Sequence, residues 1–364
     1  KVPNGMSYNS YVILDEKIAV MDTVDGFFTE EWLNNVEQVL SGKTPDYLVI
    51  QHMEPDHSAS IPAFLKKYPN ATVVSTAKGF QFMEQFFPEF FAGQGLPAEQ
   101  RIVAANDGVL ELGQHSLHFV YAPMVHWPEV MMTYEATEKI LFAADGFGKF
   151  GALDAEEEWA DEARRYYIGI VGKYGPQVQA VLKKAAGLDI QTICSLHGPV
   201  LKENLGFYLE KYDRWSSYQP EESGVVIAYA SVYGNTRNAA EYLADVLQEK
   251  GQKTVLYDLA RCDKAKAVAD AFRYDRLVLA GITYNGDLFP CMRSFIEGLT
   301  ERNYQNRKVA IIENGTWAPM AGKLILGMFE KSKNLTFTET TVSIKSAMNE
   351  QNKGEIGKLA EELC

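Results

Sequence analysis

The stretch Gln51-His52-Met53-Glu54-Pro55-Asp56-His57-Ser58 follows the apolar run Tyr47 to Ile50 and decides how the first half of the chain is read. The run before it is strand-like, so the stretch lies on a strand-to-helix loop that Pro55 stiffens. Four metal-competent side chains, His52, Glu54, Asp56 and His57, fall within six residues. Imidazoles and carboxylates at this density can serve two adjacent ions, with His52 and Glu54 directed one way and Asp56 and His57 the other. A helix-capping Asp56 beside two solvated histidines is the plain alternative. Against it, the whole chain has only six histidines.

Working outward, three more candidates sit where strand-like runs end. His126 lies in Met124-Val125-His126-Trp127-Pro128 after Leu117 to Tyr121, Asp145 ends Ile140 to Ala144, and His197 lies in Ser195-Leu196-His197-Gly198-Pro199 after Thr192 to Cys194. Turns at strand ends are where sheet scaffolds display functional groups. Taken singly each reads as a packed or capping residue; with the first cluster, ligation is the better reading. His115 and His118 lie in a polar-apolar strand without carboxylates near them in sequence and read as structural.

The rest of the first half has the same short rhythm. Ser10 to Leu14, Ile18 to Met21, Thr72 to Ser75, Arg101 to Ala105, Val109 to Leu112, Val130 to Tyr134 and Lys139 to Ala143 read as strands. Helices are expected over Ile61 to Lys67, Phe80 to Phe87 and, as one long stretch, Glu156 to Ala186. Strand hairpins with helices outside predict an α+β fold, an αββα sandwich. The polar stretch 213–224, with Pro220 and Gly224, marks a boundary, giving domains over 1–215 and 216–364.

Beyond it the rhythm becomes βα alternation. Val225 to Ala230, Thr254 to Leu259, Arg276 to Gly281, Lys308 to Glu313 and Thr338 to Ile344 read as strands. The helix Thr236 to Lys250 has an apolar stripe at Ala239, Ala240, Leu243, Val246 and Leu247, with Gly251 just past its end. This predicts an α/β doubly wound, five-stranded parallel sheet of flavodoxin type.

Composition narrows the function. Across 364 residues, 35 Lys+Arg stand against 48 Asp+Glu, a net of −13, which repels phosphate backbones and excludes nucleic acid as a natural partner. No run approaches the roughly 18 apolar residues a membrane span needs, so a soluble protein without membrane association is expected. The cysteines Cys194, Cys262, Cys291 and Cys364 form no CxxC pair, which leaves no iron–sulfur or rubredoxin-type site and makes a reducing cytoplasm the expected compartment.

The order His52-x-Glu54-x-Asp56-His57, then His126, Asp145 and His197, resembles the di-iron centre of the flavodiiron proteins, a branch of the metallo-β-lactamase fold with a fused flavodoxin domain. The resemblance covers nearly the whole chain. It implies that one iron takes His52, Glu54 and His126, the other Asp56, His57 and His197, and that Asp145 bridges them. The family usually carries a short segment before the position of Lys1, so the N-terminal strand is expected to be incomplete. Hydrolytic zinc relatives present His where this chain has Glu54, and that exchange hardens the site toward oxygen-loving, redox-active metals. Glu54, Asp56 and Asp145, with a bridging hydroxide, would balance two ferrous ions, and a neutral site tolerates burial.

The resemblance also implies FMN in the second half. Ser231-Val232-Tyr233-Gly234-Asn235-Thr236 follows the first strand there, as a phosphate loop should, with Ser231, Asn235 and Thr236 as polar contacts and Gly234 allowing close approach. The family more often has Thr where Tyr233 stands, which removes one hydroxyl contact. Two further loops fall where a flavin should lie: Thr283-Tyr284-Asn285-Gly286 and Asn314-Gly315-Thr316-Trp317, with Tyr284 and Trp317 placed against the ring system.

What the family resemblance implies is reduction of dioxygen to water, of nitric oxide to nitrous oxide, or both, at two Fe fed by FMN, with electrons from a separate donor such as a rubredoxin-like protein. Compact domains of about 215 and 140 residues have radii of gyration near 17 and 14 Å, which would usually separate flavin and irons of one chain too far for fast transfer. A head-to-tail homodimer, or a dimer of dimers, removes that difficulty and is the family's arrangement. Two other readings stand beside this one: a zinc-dependent hydrolase of the metallo-β-lactamase fold with a passenger flavodoxin domain, and a non-enzymatic flavin electron carrier.

Overall fold

Strands Tyr11–Ile13, Ala19–Met21, Tyr47–Val49, Thr72–Ser75 and Arg101–Val103 lie side by side in that order, the first pair antiparallel and the others parallel. A second sheet runs Thr192–Cys194, Ile140–Phe142, Met131–Glu135, Ser116–Tyr121 and Val109–Glu111, parallel only at its first pair. The period of two along each strand sets the layers. Ala19, Met21, Val49 and Val74 form one core with Leu117, Phe119, Met131 and Phe142 of the second sheet. Val20, Leu48 and Val73, at the alternate positions, pack instead among Trp32, Val36, Leu40, Ile61, Phe64, Phe80 and Met83 of helices Thr29–Leu40, Ile61–Lys67 and Ala77–Phe86.

The computed structural model describes residues 1–91 and 96–364 and resolves into two units. One comprises Val2–Tyr166 and Pro176–Asp213, the other Lys1, Tyr167–Gly175 and Arg214–Cys364. In the second, five parallel strands stand in the order Thr254–Asp258, Glu222–Tyr229, Tyr274–Tyr284, Arg307–Asn314, Leu335–Ile344, the 2-1-3-4-5 arrangement of a flavodoxin-like sheet. Helix Asn235–Glu249 buries Ala239, Ala240, Leu243, Ala244 and Leu247 against Ile227, Val278, Ala310 and Ile312, and Gly251 follows its end with φ +76°. A short arm, Asp287–Leu288, turns back on Thr283–Tyr284 through Asn285 and Gly286, both at positive φ as a two-residue hairpin requires.

Three elements differ from the sequence reading. The single helix expected over 156–186 is Trp159–Ile170, a short 3-10 turn Gly172–Tyr174, and Gly175–Ala185. A Cβ on Gly175 would meet the Ser216 carbonyl at 2.4 Å, so the chain closes on itself there, and Pro176 opens the next helix where a missing N–H costs nothing. Within this break Tyr167–Gly175 joins the second unit: Arg302 donates to the carbonyls of Ile168 and Gly169, and the Tyr218 hydroxyl to that of Gly172. Helices Thr29–Leu40 and Leu205–Ser216 were not expected, and the second shortens the polar boundary stretch, since the strand resumes at Glu222. All four cysteines are free thiols, and among the described residues no helix is long and apolar enough to cross a membrane.

Candidate metal centre and phosphate-loop cleft

The centre is built at the carboxyl ends of strands in the first unit. Asp22, directly after Ala19–Met21, accepts hydrogen bonds from the Gln51 backbone N–H (2.8 Å), the Gln51 side-chain amide (2.9 Å) and the His52 N–H (3.3 Å), which pins the loop after Tyr47–Val49. Burial raises the Asp22 carboxyl to about 6 despite these donors. At the other end of the loop Thr23 donates its backbone N–H and hydroxyl to the His57 carbonyl. Met124, Ala144 and Phe147, flanking His126 and Asp145, hold left-handed backbone at φ +65°, +48° and +65°. Left-handed backbone costs about 1–2 kcal/mol at a non-glycine residue and concentrates at functional sites.

All seven residues proposed as ligands meet there, in two groups. His52, Glu54, His126 and Asp145 form one, Asp56, His57 and His197 the other, with ligand-type atoms within 4.8 Å of one another in each. Asp145 faces both: its Oδ2 lies 3.0 Å from His126 Nε2 and 3.5 Å from His52 Nε2, its Oδ1 3.1 Å from His57 Nε2 and 3.6 Å from His197 Nε2. His52, His57, His197 and Asp145 are buried, while the Glu54 and Asp56 side chains are 36% and 24% exposed. Those four are therefore shut off from solvent, while the Glu54 and Asp56 carboxylates reach it.

The donor set fits cations. His52 Nδ1 faces Glu129 Oε1 at 2.8 Å and His197 Nδ1 faces the Ser7 carbonyl at 2.7 Å. Both partners accept only, so each Nδ1 carries the proton and each Nε2 turns its lone pair to the centre. There His57 and His197 stand Nε2 to Nε2 at 3.0 Å, and His52 and His126 at 3.3 Å. Asp56 Oδ1 and Asp145 Oδ1 are buried with no hydrogen-bond partner among the described residues. Burial disfavours charge on His126, but Asp145 and Glu54 outweigh it and raise the ring to about 9. Burial likewise works against ionised Glu54 and Asp145, but the histidines hold Glu54 down at about 2 and Asp145 well below the carboxylate range.

Sequence reasoning missed Glu129, Asp22 and Ser7. Asp22 had a signal, a lone acid closing a wholly buried strand; Glu129 and the Ser7 carbonyl had none. His115, read as remote from carboxylates, is corrected: the fold brings Asp15 Oδ2 to 2.8 Å from its Nδ1 and Glu138 to 3.6 Å from its Nε2. His118 Nε2 faces the Ser116 hydroxyl at 3.1 Å.

In the second unit a cleft of about 660 Å³ opens at the carboxyl ends of Glu222–Tyr229, Tyr274–Tyr284 and Arg307–Asn314, where the strand order reverses. Ser231, Tyr233, Asn235, Thr236, Thr283, Tyr284, Asn285, Gly286, Asn314, Gly315, Thr316 and Trp317 line it, joined by Val232, Ile282, Ala318, Met320 and Ser346. Gly234 is the N-cap of helix Asn235–Glu249 at φ +93°, and no side chain caps that helix. Uncapped N–H groups at a helix start suit an anion. Two expected contacts serve the loops themselves: Thr283 Oγ1 accepts from the N–H of Met320 and Ala321, and the Asn314 amide closes both ways on the Ser346 backbone. Tyr233 and Trp317 stand 92% and 89% exposed at the rim.

Two facing sheets with paired donor groups at one end, continued by a 2-1-3-4-5 parallel sheet, define a metallo-β-lactamase-like domain joined to a flavodoxin-like one. The family described as ODP family beta lactamase matches residues 6–198, and the flavodoxin domain matches residues 226–335. Rubredoxin oxygen:oxidoreductase from Desulfovibrio gigas superposes with a TM-score of 0.91 at 25% identity, covering 100% of this chain and 91% of its own. The flavodiiron protein from Giardia intestinalis does so with 0.89 at 26% identity, over 100% and 90%. The anaerobic nitric oxide reductase flavorubredoxin of Vibrio vulnificus is 28% identical over 87% of this chain, which spans 65% of that relative's length. The chain belongs to this beta-lactamase family and, with its flavodoxin domain, to the flavodiiron proteins.

Proposed function

We propose that the chain reduces dioxygen to water, nitric oxide to nitrous oxide, or both, with two irons held in residues 1–215 and FMN in residues 216–364. One observation carries the reading: Asp145 presents one oxygen to each of two donor groups of like composition. His52, Glu54 and His126 would hold one iron and Asp56, His57 and His197 the other, with Asp145 between them. When bound, the iron pair fed by FMN supplies the electrons and the open coordination positions that a diatomic gas requires. Three carboxylates among the seven donors favour iron over zinc.

The residues divide the remaining tasks. The buried imidazoles and Asp145 form a floor that excludes water, and the partly exposed Glu54 and Asp56 mark the side from which a small molecule enters. In the second unit the start of helix Asn235–Glu249, with Ser231 and Thr236, would take the FMN phosphate, and Tyr284 and Trp317 would lie against its rings. The relatives' names support both gases: one is an oxygen oxidoreductase served by rubredoxin, another a nitric oxide reductase. A separate rubredoxin-like donor, a head-to-tail homodimer and a reducing cytoplasm belong to the same reading. Purified protein should carry about one flavin and two irons per chain and consume oxygen or nitric oxide when supplied with reduced rubredoxin. Zinc in place of iron, with no gas uptake, would count decisively against it.

A further inference from the structure

We infer that the two metal positions are unequal and that Glu129, as a positioning residue, makes the His52–Glu54–His126 position the tighter one. The inference rests on the metal-pair reading above. The inner donors offer no reason for a difference. Each position has two imidazoles, one carboxylate of its own and one oxygen of Asp145. A difference must come from what stands behind the imidazoles.

Behind His52 stands a carboxylate. Glu129 is 2% exposed, and its Oε1 accepts from His52 Nδ1 at 2.8 Å and from the Met53 N–H at 2.9 Å. Its backbone is fixed as well, since the Thr76 hydroxyl that caps helix Ala77–Phe86 donates to the Glu129 carbonyl at 3.0 Å. Behind the other position stand weaker partners. His197 Nδ1 faces the neutral Ser7 carbonyl at 2.7 Å, and His57 Nδ1 is buried with no hydrogen-bond partner among the described residues. A hydrogen bond to an anionic acceptor is roughly twice as strong as one to a neutral acceptor, and burial keeps it unscreened. The carboxylate therefore pulls harder on the Nδ1 proton, leaves more electron density on His52 Nε2, and holds the ring in one orientation.

Metal-free protein titrated with Co²⁺, followed by visible absorption and calorimetry, tests this. Wild type should bind two ions in two resolved steps. Glu54→Gln should remove the tighter step and Asp56→Asn the looser one; the reverse assignment overturns the inference, whether or not any Glu129 variant folds. Glu129→Gln keeps an acceptor oxygen for His52 and Met53 but loses the charge, so it should weaken the tighter step by about 10- to 100-fold and leave the looser one within about twofold. Equal weakening of both steps, or no change, overturns it, as does a metal-free Glu129→Gln protein that melts well below wild type, which would reduce Glu129 to a prop. Two ions bound with equal affinity in wild type overturn the inference while sparing the metal-pair reading. Fewer than two ions sinks that reading itself.

Discussion

Replacing Trp317 by Ala separates ligand binding from folding, because the side chain stands 89% exposed at the rim of the cleft. A buried Trp removes about 150–250 Å² from water, so one indole face laid against a flavin accounts for about 100 Å². At about 25 cal/mol per Å² that is about 2.5 kcal/mol, close to a 70-fold loss of FMN affinity. The FMN-free variant loses no packing, so its stability should stay within about 0.5 kcal/mol of wild type. Flavin fluorescence, titrated with apoprotein, reads the affinity, and melts of the FMN-free proteins read the stability. Trp215 gives the contrast: it is 3% exposed, and Trp215→Ala should cost about 3–5 kcal/mol in the melt through cavity formation. If Trp317→Ala binds FMN as wild type does, or melts several degrees lower without flavin, the ring does not serve the cleft as argued.

Two further outcomes are expected. Asp145→Ala should lower bound metal below two ions per chain in elemental analysis while flavin absorbance is retained, since the metal centre and the cleft lie in different units; full metal occupancy would dismiss the bridging role. His115 titrates above an ordinary histidine because its hydrogen bond to Asp15 and the nearby Glu135 and Glu138 outweigh its partial burial. A raised folded value means that this stabilisation is complete below the unfolded histidine value and is lost as pH climbs through the folded one. The melting gap between wild type and His115→Gln should therefore be wider at pH 5.5 than at pH 9, and a gap that ignores pH would refute the pairing.

How far the sequence could be read depended on the distance over which each signal acts. Strands such as Tyr47–Val49 and Arg307–Asn314 show as local apolar runs. The seven residues of the two donor groups stood out because four of them crowd into six residues and the others follow strands. Their supports were not legible. Glu129 lies 77 residues from His52, and the Ser7 carbonyl 190 from His197, and no local pattern reports a partner that far away. Helix Thr29–Leu40 buries only Trp32, Val36 and Leu40, a thin stripe behind the exposed Phe27, and the break at Gly172 and Gly175 reflects a close approach by Ser216 that only the fold creates. Thr283 and Asn314 lie on two of the loops that line the cleft, and their side chains tie those loops together through contacts no local pattern reports.

A site of this composition poses a folding problem, and the structure shows how it is met. Three carboxylates and four imidazoles converge, most of them buried, and unpaired buried charge is strongly destabilising. Attraction between the histidines and the carboxylates offsets part of that charge: Asp145 and Glu54 raise the His126 ring, and the histidines lower Glu54. The framework beneath is held by contacts other than those of the donor groups. Ala19, Met21, Val49, Phe119 and Phe142 pack between the sheets, while Asp22 and Thr23 fix the loop of candidate ligands through its backbone. On the proposed reading, metal binding would exchange protons for cations in a scaffold held by its own core, unlike a zinc finger, whose fold waits for its ion. For that reason metal-free protein should be a folded starting point for cation titration, and the difference between its two binding steps should report on the ligands and their supports, not on the assembly of the domain.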